Sequence, residues 1–139
     1  MDLSKIKFFS KNEPAILSTI ENMEAEEDII LPEVFKELLL LANGFCTNGS
    51  ISIYGTDDIL ERYQTLEVKE YSPGYICVGD NSGPDVFLMK QTRNACEVLI
   101  TSSGYMNAQD PSGKILDFYS WIEEGCPDET ESKEYIDCI

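Results

Sequence analysis

The sequence predicts an α+β domain whose mostly antiparallel central sheet is flanked by helices. Three observations carry that prediction. Apolar residues recur at helical spacing near both ends, in Ile16, Leu17, Ile20 and Met23 and again in Ile115, Leu116, Phe118, Tyr119 and Ile122. Between them lie β-like runs, Tyr75 to Asp80, Asp85 to Lys90 and Cys96 to Thr101, joined by links short enough for antiparallel neighbours. No linker, repeat or low-complexity stretch divides the 139 residues, a length that suits one core.

The elements follow in order. Residues 12 to 24 form a first helix, with Asn12 as its cap and Pro14 in its first turn. The acids Glu21, Glu24, Glu26, Glu27 and Asp28 oppose the macrodipole at its far end, which predicts fraying into a solvated exit loop. A second helix opens at Pro32 and closes at Asn43-Gly44, because glycine takes the left-handed conformation without strain. Its residues Val34, Phe35, Leu38, Leu39, Leu41 and Ala42 cover more than one stripe, so most of its surface should be buried. Ile51 to Ile53 alternates as a strand does, and Thr56 can cap a short helix from Asp57 to Leu66. Tyr71-Ser72-Pro73-Gly74 breaks the chain before the three β-like runs. A further strand is expected near Tyr105 to Ala108, then a turn at Asp110 to Gly113. The last helix covers Ile115 to Ile122, with Trp121 as its anchoring aromatic and Gly125 as its stop. The domain is thus placed at residues 1–125, and the acidic stretch 126–139 reads as a tail that Tyr135, Ile136 and Ile139 can pin.

Composition narrows the function. The net charge of -16, from 26 acidic and 10 basic residues, repels nucleic acid and anionic membrane surfaces and attracts a cationic partner. The same charge also serves plain solubility. No apolar run approaches the ~20 residues of a membrane span, and no apolar h-region or cleavage site follows Lys5 and Lys7, so a secretory signal is not expected. Five cysteines without C-x-x-C spacing fit neither a zinc ribbon nor a disulfide framework, so a reducing cytoplasm is expected. Histidine is absent, which removes Ser-His-Asp triads, Cys-His dyads and histidine metal sites. Carboxylate chemistry stays open in principle, since two acids suffice for general acid–base work. Asp80-Asn81-Ser82-Gly83-Pro84-Asp85 has the oxygen donors of a calcium-loop fragment, but lacks the spaced acids and terminal glutamate of an EF-hand. It reads as a polar hairpin. No phosphate loop, dinucleotide fingerprint or basic patch is present, so neither cofactor, metal nor nucleic acid is expected.

The helix from Leu31 to Gly44, the segment Ile53-Tyr54-Gly55 with Asp57-Asp58-Ile59, the approach Tyr71 to Asp80, the turn Asn81-Ser82-Gly83 and the strand Phe87-Leu88-Met89 resemble, in that order, the SUKH superfamily over roughly residues 10 to 124. The turn from Asn81 to Pro84 carries less glycine than that family's strongest pattern. The resemblance implies a sheet flanked by helices and a role in binding protein. For bacterial members that role is immunity: an antitoxin in the cytoplasm that occludes a toxin. For fungal members it is regulation of cell-wall glucan synthesis. Fold alone does not choose between them. The expected partner is a basic toxin domain such as a nuclease, held without bond-making chemistry. Candidate contacts are Asp57, Asp58, Asp80, Asn81 and Asp85, with Tyr54 and Tyr105 as aromatic anchors. Ordinary solvation or turn structure is the competing account of each.

Overall fold

Seven strands lie side by side in the order in which the chain makes them, every neighbouring pair antiparallel. The computed structural model describes residues 1–127. The elements are β1 (Phe8–Lys11), α1 (Leu17–Glu27), α2 (Glu33–Leu39), β2 (Phe45–Thr47), β3 (Ser52–Ile53), α3 (Thr56–Thr65), α4 (Val68–Tyr71), β4 (Tyr75–Asp80), β5 (Asp85–Lys90), β6 (Val98–Ser102), β7 (Gly113–Ile115) and α5 (Phe118–Glu123). The fold is α+β, a single domain. Among the described residues no helix is long and apolar enough to cross a membrane.

The middle of the sheet is buried on both faces. Successive side chains of a strand point to opposite faces. Ile76, Cys77 and Val78 of β4 and Val86, Phe87, Leu88 and Met89 of β5 are nevertheless all buried. Both faces must therefore be covered, and α3 and α4 lie directly against β4. An aromatic chain runs from the sheet into the helices: Phe87 meets Trp121 edge-on at 5.7 Å, Trp121 meets Phe118 at 6.2 Å, and Phe118 meets Phe35 at 5.8 Å. Trp121 is the packed anchor of α5, and its indole N–H donates to the Pro127 carbonyl at 2.9 Å. Cys126, placed in the tail by sequence, is buried beside it, and the rest of that stretch, residues 128–139, lies outside the described residues.

Asn43 is the hub of the helix-to-sheet junction. Its side-chain oxygen accepts the Thr56 N–H at 2.8 Å, its side-chain amide donates to the Thr56 hydroxyl at 3.2 Å, its backbone N–H donates to the Glu13 carbonyl at 3.0 Å, and its carbonyl accepts the Asn12 side-chain amide at 3.0 Å. The cap of α3 therefore comes from a residue thirteen positions upstream and not from the Thr56 hydroxyl, because Thr56 is already the first residue inside the helix and Gly55 is its flank. Gly44 has φ +89°, and a Cβ there would stand 2.6 Å from the Gly55 nitrogen. A Cβ on Gly55 would collide in turn with the Asn43 carbonyl oxygen. Two glycines are needed because two backbones cross with no room between them.

Several boundaries differ from those read in the sequence. Asn12 does not cap α1, which begins five residues later at Leu17 with Ile16 as its flank. Residues 12 to 15 instead lie outside any helix or strand, with the Asn12 N–H on the Gly44 carbonyl at 3.1 Å and the Ala15 N–H on the Leu39 carbonyl at 2.8 Å. The acidic end of α1 does not fray at Met23 or Glu24. Glu24 accepts the Lys36 ammonium at 3.0 Å and the Leu31 N–H at 2.8 Å, so an ion pair between α1 and α2 outweighs the macrodipole. No strand forms at Tyr105 to Ala108. That segment is tied to the buried Ser72, whose hydroxyl donates to the Met106 carbonyl at 2.9 Å and accepts the Ala108 N–H at 3.1 Å. The expected turn at Gly113 and the first residue of the expected helix, Ile115, pair with β6 as β7. The last helix starts only at Phe118.

Gly44→Ala should destabilise the domain by roughly 2–4 kcal/mol, since it combines a positive φ with a backbone collision. Asn43→Ala should cost about 1–2 kcal/mol through the lost cap, and Asn43→Asp, which keeps the accepting oxygen, should cost less. Urea unfolding of the three variants checks both the magnitudes and their order.

Candidate functional site

At one end of the sheet, three loops are laced into a continuous rim. The β4–β5 hairpin is closed from within by side chains. Asp80 accepts the Ser82 N–H at 2.8 Å, and the Asn81 side-chain oxygen accepts from the Gly83 N–H at 3.0 Å and the Asp85 N–H at 3.3 Å. Asn and Asp suit such turns because their short side chains stand in for backbone partners. The hairpin is then fastened on both sides. The Ser82 hydroxyl donates to the Ser50 carbonyl at 2.7 Å, and the Ser103 N–H donates to the Pro84 carbonyl at 2.7 Å.

Beside this rim lies a cleft of about 220 Å³, lined by Ser52, Tyr54, Asp58, Arg62 and Asp80 among others. Strand pairing explains the approach. Ser52 of β3 is registered opposite Asp80 of β4, and Ile53 opposite Gly79, where a Cβ would collide with the Ser52 carbonyl oxygen. Gly79 thus lets β3 sit tightly against β4 and brings Tyr54 over Asp80. The Tyr54 hydroxyl donates to the Asp80 carboxylate at 2.5 Å. The Arg62 guanidinium lies over the Tyr54 ring, 5.9 Å from its centroid. Asp58 and Arg62 share a helix face because they are four residues apart.

The structure brings together most of the residues singled out in the sequence. Tyr54, Asp58 and Asp80 line the one cleft. Asn81 and Asp85 continue from Asp80 into the hairpin, joined to each other at 3.3 Å. Tyr105 stands on the neighbouring loop with its ring 57% exposed, and its hydroxyl donates to Asp110 at 3.3 Å. Asp57 is exposed in the first turn of α3, outside the cleft lining. Tyr54, expected to project as an aromatic anchor, is buried to 6% exposure, because its hydroxyl follows Asp80 inward; it forms cleft wall. Arg62 was not singled out as a candidate, although its i,i+4 spacing from Asp58 was available to find it.

Burial, with the Cys77 thiol and the Asp80 carboxylate beside it, pushes the Tyr54 phenol well above its ordinary value, and Arg62 pulls the other way. Burial likewise pushes the Cys77 thiol up to about 12. These are protonated, inert groups at neutral pH. Among the described residues no group of three or more Cys, Asp or Glu is placed to hold a metal ion. What the arrangement offers is a rigid, carboxylate-bearing rim with one aromatic at its edge.

A folded-state pKa above the unfolded value means the folded protein keeps the Tyr54 proton more tightly. The stability this contributes is present below about pH 10 and is lost as the pH rises beyond it. Tyr54→Phe should be about 1–2 kcal/mol less stable at neutral pH, having left the Asp80 carboxylate without its donor. That difference should narrow above about pH 10, where the wild type alone loses the contribution. Urea titrations on both sides of that pH read the gap.

Comparison with known proteins adds one match. The model of the SMI1 / KNR4 family (SUKH-1) matches residues 14–124. No curated protein matches the chain.

Proposed function

The chain belongs to the SMI1/KNR4 (SUKH-1) family, and we propose that it is an immunity protein, which binds a basic bacterial toxin domain such as a nuclease and holds it inactive in the cytoplasm. The observation that carries this reading is the sheet-end rim. Asp80 and Asp85 are held there by a hairpin fastened to both of its neighbours, and Asp58 stands beside them in the first turn of α3, so a partner meets carboxylates whose positions are already set. Pre-ordered contacts lose little entropy on binding. With a net charge of -16 the whole molecule draws in a cationic domain. In this mechanism the toxin's basic substrate cleft docks on the rim, Tyr105 packs at its border, and substrate is excluded by occupancy. No covalent step is involved.

Capture from the native strain, followed by co-expression, tests the proposal. Cells producing the captured protein should die without this chain and grow with it. The combined change Asp58→Asn, Asp80→Asn and Asp85→Asn should weaken binding by roughly 10- to 100-fold and flatten the dependence of affinity on salt. A captured protein that is harmless and works in envelope or glucan synthesis would replace this reading with that of a regulatory scaffold. Undiminished protection by the triple variant would move the contact face elsewhere.

A further inference from the structure

A second surface stands apart from the sheet-end cleft and shares no lining residue with it. It is an open groove of about 550 Å³ between α1 and α2, reached also by Tyr119 of α5. One wall carries Leu17 and Glu21, four residues apart on α1; the other carries Glu33 and Glu37 on α2, with Leu40 at its C-terminal flank. The bond from the Ala15 N–H to the Leu39 carbonyl, 2.8 Å, sets the start of α1 beside the end of α2. Both leucines therefore fall at the same end of the groove. Leu17 is 50% exposed and Leu40 39%, and their sequence neighbours Ile16 and Leu41 are 69% and 39% exposed. Scattered single leucines on a surface are ordinary, but Leu17 and Leu40 line one groove together with Val34.

The charges in this groove decide what fits it. Lys36 is taken by Glu24 at 3.0 Å, Arg93 by Glu33 at 3.3 Å, and Glu37 accepts the Met1 ammonium at 3.2 Å. Glu21 has no ion pair among the described residues and adjoins the apolar end. The Glu123 carboxylate first, then burial and Glu37, push the Tyr119 phenol upward, as a negative potential in the groove should. An acidic or neutral apolar ligand would leave Glu21 unanswered. A second copy of this chain would bring another -16 against the first.

We propose that the α1–α2 groove seats a segment of a partner polypeptide that carries a large apolar side chain next to a lysine or arginine, the apolar group between Leu17 and Leu40 and the cation on Glu21. This is the helix-face mode of recognition, with apolar anchors giving affinity and the charge giving orientation. It is independent of whether the sheet-end rim binds a toxin.

The test uses the full chain and three fluorescent helical peptides, one built of Leu and Lys, one of Leu and Glu, one of Ser and Lys. The Leu/Lys peptide alone should bind, and its amide-shift map should centre on Leu17, Glu21 and Leu40. Leu17→Ser with Leu40→Ser should weaken it roughly tenfold or more, and Glu21→Gln should weaken it and reduce its salt dependence. Leu116→Ser, at another exposed leucine (50%), should leave it unchanged. Binding of the Ser/Lys peptide with equal strength would reduce the effect to bulk charge and overturn the proposal. So would failure of the Leu/Lys peptide to bind, equal loss in the Leu116 variant, or shifts centred on residues 80–85. A dimer of the wild type that the Leu17/Leu40 variant abolishes would assign the groove to a second copy instead.

Discussion

The fold turns on the place where Asn43-Gly44 crosses Gly55-Thr56. The chain passes there shortly after α2 ends at Leu39, and eleven residues on, from Gly44 to Gly55, it returns to the same spot to enter α3. No side chain fits between the two passes, so neither can shift without the other. Asn43 adds direction to this closeness by satisfying the first N–H of α3, which would otherwise face the interior unpaired. The junction sets the start of α3 and, with it, the position of Asp58 and Arg62. It also ties down the segment that follows α2 and, through the bonds of Asn12 and Ala15, the stretch that leads into α1. Both surfaces described above inherit their geometry from this crossing.

Acids far outnumber bases in this chain. Few cations are available, and several are spent within the molecule: Lys36 on Glu24, Arg93 on Glu33, Lys114 on Glu97. Of these the Lys36 pair is the most sheltered, and it joins two helices. The exposed pairs add little stability. At the start of α3, Asp57 and Asp58 are exposed and act over distance, while the hairpin's Asp80 and Asp85 are half-buried and fixed by the Tyr54 hydroxyl and the Asn81 amide.

Much of this architecture could be read before any coordinates. The three long strands were legible because β-branched, apolar and aromatic residues fill them and turn residues bracket them. The need for glycine at position 44 was legible, with φ +89° there, but the helix it was expected to close ends earlier, at Leu39, and Gly44 serves the backbone crossing instead. Most of the candidate contact residues do meet at one sheet end, since Asp80, Asn81 and Asp85 belong to one turn. What escaped was non-local. β1 and β2 are too short to show a period, and each exists because the other lies beside it. Asn12 looks like a cap from its neighbours alone and is instead engaged across the chain with Asn43. Glu24 looks solvated until Lys36 approaches from the next helix. Tyr54 looks like a surface aromatic until Asp80 draws its hydroxyl inward. Each of these depends on a partner distant in sequence, which no local pattern reports.

Strand order that copies chain order has a bearing on how the molecule comes into being. Each ribbon finds its neighbour already laid down, so a polypeptide leaving the ribosome can extend the sheet from its finished margin. None has to be threaded between two strands already in place. The aromatic run from Phe87 to Phe35 closes only when α5 packs, so that side of the sheet stays uncovered until α5 is in place. The helix α5 is thus the fastening that completes the interior.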